Sequence, residues 1–173
     1  MVAPPDGIVL GRHRDASKRR LVWFRRSVVV LVVALLAVGL AGVFGQSPRT
    51  SSFGATEATL TVEAPTTVRG GLFFQARFTI GALARLAHAT LVLDEGWLEQ
   101  LSINTVEPAP AAEESRDGRL ALDFGPLQPG DRLVAYIQFQ VNPTNIGRRS
   151  QGVTLADGER VIASVERTVT VFP

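Results

Sequence analysis

The side chains with chemistry to offer are few and scattered. His88 has no second histidine beyond residue 26 to join it, and the chain has no cysteine. A zinc site needs three or four ligands of the His, Cys or carboxylate kind, so His88 would have to rely on carboxylates alone. It reads as a surface or rim residue. No G-x-S-x-G elbow and no Ser/His/Asp spacing marks a hydrolase. Asp94-Glu95, Glu113-Glu114, Asp117, Asp123 and Asp131 supply acids for a glycosidase-type pair. They fall at or beside turns, however, where Asp satisfies local backbone donors. Loop oxygens also suit calcium, yet the spacing matches no calcium loop. The expectation is a protein that is not an enzyme, with no catalytic, cofactor-binding or metal-binding residue.

Contact chemistry is better represented. Trp97 follows a Gly96 turn beside Leu98 and Leu101, and aromatic residues are favoured anchors at interfaces. A core plug of the sandwich is the preferred reading of Trp97, with a partly exposed anchor as its alternative. Phe73 and Tyr136 fall on the polar-facing positions of two alternating segments and would form an outer apolar patch if those segments were neighbours. Arg148 and Arg149 form a basic rim in the loop 145–151. Phe73, Trp97, Tyr136, Arg148 and Arg149 are therefore the candidate interaction residues.

Placing these residues requires the elements that carry them, and the first is a membrane segment. Val28 to Phe44 is continuously apolar, with no charge between Arg26 and Arg49. As a helix it rises about 26 Å at roughly 1.5 Å per residue, close to the shorter limit for a hydrocarbon core of about 30 Å. Trp23 at interfacial depth, with Arg25 and Arg26 snorkelling, extends it on the basic side. Residues 1–26 hold seven basic residues against two acidic, and the remainder eleven against fourteen. Basic residues beside a membrane segment stay cytoplasmic, so the N-terminus is inside and residues 46–173 are outside.

A cleaved signal peptide competes, with Val43 and Gly45 before a cut ahead of Gln46. The apolar stretch exceeds the usual length of such a region and no clean A-x-A site ends it, which favours an uncleaved anchor. Two Arg pairs, Arg19-Arg20 and Arg25-Arg26, follow from arginine abundance and the positive-inside bias without a twin-arginine signal. Ala37, Ala41 and Gly45 make a small-residue stripe at spacing four, a helix-packing candidate. The resulting organisation is a basic cytoplasmic tail 1–26, a transmembrane helix 27–45, a Gly/Ser/Pro linker 46–54 and an outer domain 55–173.

The outer domain alternates throughout. Leu72, Phe74, Ala76, Phe78 and Ile80 share one face of a strand, and Leu133, Ala135, Ile137, Phe139 and Val141 share one face of another. Strands are also expected at 56–63, 88–93, 98–106, 119–124 and 152–156, with a long final one at 160–172. Residues 81–87 have the Ala/Leu content of a helix start. Asp117-Gly118, Pro129-Gly130 and Asp157-Gly158 mark turns. About seven to eight strands with no long helix describe an antiparallel β-sandwich.

Two segments resemble a known element. PLQPGDRLVAYIQFQV, Pro126 to Val141, and ERVIASVERTVTVF, Glu159 to Phe172, are similar to the late core strand and closing strand of bacterial Ig-like surface domains. The resemblance implies an Ig-like sandwich of the cell-surface kind, as in membrane-anchored proteins of actinobacterial type. It transfers no catalytic residue, and the cysteines of an antibody-type bridge are missing.

The composition fits that setting. A single lysine, Lys18, among eighteen basic residues suggests a high-GC bacterial coding bias. The basic tail is explained by topology, so no nucleic-acid partner is implied. The expected role is a non-catalytic accessory module at the cell membrane. Its partners would be membrane lipid, through residues 27–45, and a membrane or envelope protein, through the outer domain. A solute- or glycan-binding module is the first alternative, and an anchored hydrolase the second.

Overall fold

The computed structural model describes residues 12–41 and 46–173, with side chains from residue 21 onward. Two compact units divide the chain between Phe44 and Gly45.

The first unit is one helix, α1 (Arg12–Leu40). Its stretch Leu21–Leu40 has a mean hydropathy of 2.2 and none of it is buried. These twenty residues, with Arg25, Arg26 and Ser27 toward one end, are by length and composition apolar enough to cross a bilayer. Of the small-residue stripe, Ala37 accepts the hydrogen bond of the Ala41 amide at 2.9 Å in the last turn. Gly45 lies outside the described residues, as do 1–11 of the tail and 42–45 of the expected membrane segment.

The second unit is an Ig-like β-sandwich. Its strands are β1 (Pro48–Gly54), β2 (Ala58–Pro65), β3 (Thr67–Arg69), β4 (Phe73–Ala82), β5 (Ala89–Leu93), β6 (Leu101–Glu107) and β7 (Ala112–Arg116). They continue as β8 (Arg119–Asp123), β9 (Arg132–Val141), β10 (Gly147–Ser150), β11 (Val153–Asp157), β12 (Arg160–Val165) and β13 (Thr168–Phe172). A first sheet runs β1-β2-β4-β9-β6, a second β12-β11-β5-β8-β7, and a small third sheet β10-β13-β3. Only β3 with β13 is parallel; the other pairs are antiparallel.

The alternation of β4 and β9 follows their sequences except at one end of each: Leu72, expected inward, precedes β4 and is exposed, and Leu133 is only half-buried. Phe74, Ala76, Phe78 and Ile80 from β4, and Ala135, Ile137, Phe139 and Val141 from β9, are buried. Leu91, Leu93, Leu122 and Leu155 meet them from the second sheet. Each such Leu or Phe side chain contributes about 1.5–3 kcal/mol on burial.

Several segments differ from the sequence expectation, each for a local reason. Residues 48–54, expected as linker, form β1, which lies in register against β2 from Pro48↔Pro65 to Gly54↔Thr59. An edge strand needs only one paired side and no buried stripe, so its polar sequence hides it. The expected long final strand breaks at Glu166-Arg167, where Arg167 turns inward and donates to the carbonyls of Ala64 and Pro65. The acidic loop around Glu113-Glu114 is the edge strand β7, nearly all exposed; charge on an edge discourages pairing with another chain. Residues 83–88 form no helix: β4 runs on to Ala82, and Leu86 bridges Leu127. Buried contacts override the propensity of Ala and Leu there. The strand count among the described residues is thirteen because long segments split and short edges pair.

Candidate functional site

Trp97 is the first of the expected contact residues to be placed, and it is not at the surface. It is fully buried, tilted against Phe78 and Phe139 at centroid distances of 5.6 and 5.0 Å. Its indole N–H donates to the Gly152 carbonyl at 3.1 Å, and the Arg167 guanidinium lies 5.4 Å over its ring. Trp97 is thus the plug of the sandwich and presents nothing to a partner. The local cause is Gly96, whose missing side chain lets the short 3-10 turn Glu95–Trp97 sit against Ser150. Burial pushes the Arg167 guanidinium down to about 10.

Phe73 and Tyr136 do lie on neighbouring strands and both are exposed, but the register keeps them apart. Phe73 stands opposite Gln140, and Tyr136 opposite Arg77. Four residues along a strand separate the two levels by about 13 Å. Between them lies the Gln75↔Gln138 pair, and beside Tyr136 the ion pair of Arg77 with Glu63. The hydrogen bond to Glu63, with a further one to Tyr136, raises the Arg77 guanidinium above its ordinary value. This outer face is a polar ladder.

Arg148 and Arg149 are on β10, so they point in opposite directions. Arg149 forms an ion pair with Glu99 at 3.2 Å, whereas Arg148 is exposed. The carboxylates are occupied by turns. Asp123 accepts the Gly125 amide and Asp131 the Gln128 amide. His88 lies at the rim, its Nδ1 2.8 Å from Asp123. The His88 amide donates to Asp157, which lowers that carboxyl below its usual range. No group of three or more His, Asp or Glu among the described residues is placed to hold a metal ion.

The outer face of the second sheet offers more, and sequence reading missed it. Alternation on β5 sends Leu91 and Leu93 into the core and Thr90 and Val92 outward, yet all are buried. Arg116 explains this. From β7 its guanidinium contacts Glu114 at 3.0 Å and donates at 2.9 Å to the Gly158 carbonyl, in the turn between β11 and β12. In a flat sheet β7 and β11 lie about 14 Å apart, three strand spacings, beyond the span of an arginine side chain. The sheet therefore curls, and its outer face is concave.

A groove of about 310 Å³ follows the curl. Val92, Thr154, Ala156, Val161 and Ser164 make its floor, while Arg116, Asp117, Arg119 and Glu159 form its walls. Small floor side chains let a partner backbone approach closely, and the walls offer charge of both signs. A second cleft of about 310 Å³ is lined by Asp94, Glu95, Gly96, Glu99, Arg119 and Ser150. Neither lining includes an aromatic ring. The only sequence signal for the groove is the run of small residues at alternate positions of β5, β8 and β11, which is weak because small residues also suit tight sheet packing.

No protein-family model matches the sequence, and no curated protein does. Solved structures are similar in architecture. The solution structure of CaCohA2 from Clostridium acetobutylicum aligns at 17% identity and TM-score 0.46, over 68% of this chain and 92% of that one. A non-cellulosomal cohesin from Archaeoglobus fulgidus aligns at 15% and 0.39, over 62% and 86%. The CARDB domain of PF1109 from Pyrococcus furiosus aligns at 13% and 0.40, over 73% and 96%. At such identities and scores nothing of those proteins' binding is transferred; the sandwich stands on this chain's own strand order and core.

Proposed function

We propose that the protein is a single-pass membrane-anchored interaction module. Residues 1–26 are cytoplasmic, residues 27–45 span the membrane, and the sandwich is extracytoplasmic. It acts without catalysis, docking a membrane or envelope protein. Support for the anchor comes from the uncovered, predominantly apolar stretch Leu21–Leu40 and the basic surplus of residues 1–26. The docking reading is carried by one observation: the concave face between Arg116 and Val161, whose small-residue floor and charged walls suit a protein segment. A glycan-binding module would call for aromatic platforms, and neither cleft lining provides one.

The test is mild-detergent affinity capture of the full-length protein from its native membrane, alongside a Thr154→Arg, Ser164→Arg variant. Both positions are at the groove floor. A stoichiometric partner lost from the variant, with thermal unfolding unchanged, is the expected result. A partner retained by the variant but lost when residues 27–45 are replaced by an unrelated membrane helix moves the contact to Ala37 and Ala41, and overturns the groove.

A further inference from the structure

β1 ends its sheet with one side unpaired, and the ladder shows which backbone groups that side presents. The Ala55 amide donates to the Ala58 carbonyl at 2.9 Å, in the same register that pairs Gly54 with Thr59. Bonding direction alternates along an antiparallel strand, so Arg49, Ser51 and Phe53 also turn their amides and carbonyls toward β2. The Leu83 amide, donating to the Glu57 carbonyl at 2.8 Å, fixes the same phase from the β4 side. Thr50, Ser52 and Gly54 therefore direct their amides and carbonyls away from the sheet, and all three are exposed. Pro48 adds a carbonyl to this outward row and no amide.

The other edges among the described residues carry devices that discourage strand addition. The β6 ladder slips between Ile103 and Thr105, and the β12 ladder between Leu155 and Ala156 of its partner. β7 presents Glu113, Glu114 and Arg116 within five residues. β3 is three residues long, and β10 is four with two arginines. β1 has none of these: seven residues lie in unbroken register, and Arg49 is their one charge. Such an edge is a template for another strand.

We propose that β1 pairs with β1 of a second copy of this chain, antiparallel and centred on Ser51, to make one continuous sheet through two sandwiches. The edge sequence Pro-Arg-Thr-Ser-Ser-Phe-Gly is complementary to itself about Ser51. Thr50 of each copy meets Ser52 of the other as a hydrogen-bonded pair, using the outward groups of both. Each Gly54 amide meets the Pro48 carbonyl across from it, so the absent proline amide leaves only the Gly54 carbonyl unmet. Ser51 meets Ser51 on the two-fold axis, and Arg49 meets Phe53 as a close, non-hydrogen-bonded pair. A guanidinium over an aromatic face is favourable, and both side chains lack a partner within one copy. Phe53 stands opposite buried Leu60, on the core side of the sheet, yet it is 50% exposed and outside the core cluster. Arg49 enters no ion pair among the described residues.

Absence of cysteine makes the register directly testable. Single variants Ser51→Cys, Ser52→Cys and Val161→Cys of the full chain, purified in mild detergent, are oxidised with copper phenanthroline and resolved on non-reducing gels. In the paired edges the two Cα atoms at position 51 lie about 4.5 Å apart, within disulfide reach. Those at position 52 are two residues out of register and about 9 Å apart, beyond it. The expected result is a disulfide-linked dimer at 51 and little at 52 or at the exposed Val161. Ser52→Pro added to Ser51→Cys removes an outward amide and keeps every bond to β2, a change that an edge strand tolerates. Losing the Ser52 bond of both copies should slow linkage about tenfold or more, with the thermal transition unchanged. The contrast between 51, 52 and 161 keeps the test valid should Ser52→Pro unfold the edge. Linkage that is equal at all three positions, or that survives Ser52→Pro in a folded protein, overturns the paired edge. Absence of linkage at 51 overturns the second copy; if Ser52→Pro then releases a captured foreign protein, the edge belongs to that protein's strand.

Discussion

Asp157 shows how a carboxylate that invites a chemical reading serves the fold. It accepts the His88 amide at 2.8 Å and lies 3.5 Å from the Arg160 guanidinium. These contacts, the backbone bond first, hold its carboxyl below the usual range. A lowered folded pKa contributes stability above the ordinary carboxylate pKa of about 3.9 and loses it as pH falls through the folded value. Asp157→Asn should therefore cost about 1 kcal/mol at neutral pH, the order of one charge-assisted hydrogen bond partly screened by solvent. The cost should vanish in acid once the carboxyl of the parent protein is protonated. Urea unfolding at a series of pH values measures this; a cost that persists unchanged into acid would assign the effect to side-chain shape. Sequence reading found the turn acids and the rim histidine. It preferred the core for Trp97 yet kept it among the contact candidates, because a Gly-Trp pair looks the same in both settings. The deciding partner, Gly152, is distant in sequence.

Among the elements, β4 and β9 were legible over most of their length because each buries a face against the other sheet, the misses being Leu72 and Leu133 at their ends. The elements that escaped notice are β1, β3, β7 and β10, all at sheet edges. Edge strands are specified by the partner's hydrogen-bond row and carry little periodicity of their own. The concave groove was illegible for a related reason: curl is a property of the whole sheet, and Arg116 records it only after folding. The turn Glu95–Trp97 gives a sharp prediction. A Cβ on Gly96 would lie 1.9 Å from the Ser150 carbonyl oxygen, so Gly96→Ala must push the turn off β10 and disturb Trp97 with it. A loss of at least 2–3 kcal/mol is expected, the upper range for overpacking a tight site. Denaturant unfolding measures it, with the indole environment of Trp97 as the probe. A near-neutral result would mean that the turn and β10 are free to separate.

At the scale of the molecule, the chain is two units of different solvent preference. The apolar helix has no buried residue within Leu21–Leu40, whereas the hydrophobic core cluster draws on residues 58–171. Residues 46–173 should therefore fold alone as a soluble sandwich with one cooperative thermal transition, as single domains of this size do. The same fragment should keep the unfolding free energy of the full chain's sandwich. Calorimetry of both forms checks it; a molten fragment would show that the helix completes the fold. The N-terminal helix and the β class were evident in sequence, because hydropathy and alternation are local. The domain's first strand was not, and its true start lies nearer the helix than composition suggests.

That first strand has a mechanical consequence. β1 enters at Pro48 and runs its seven residues against β2 in unbroken register. A pull along the chain into Pro48, directed along the strand, loads all seven pairs together in shear instead of peeling them one by one. If a partner bound to the body of the sandwich is dragged away from the tether, the weak-looking Pro-Arg-Thr-Ser-Ser-Phe-Gly edge bears the tension. Its rupture would lengthen the leash before the core yields.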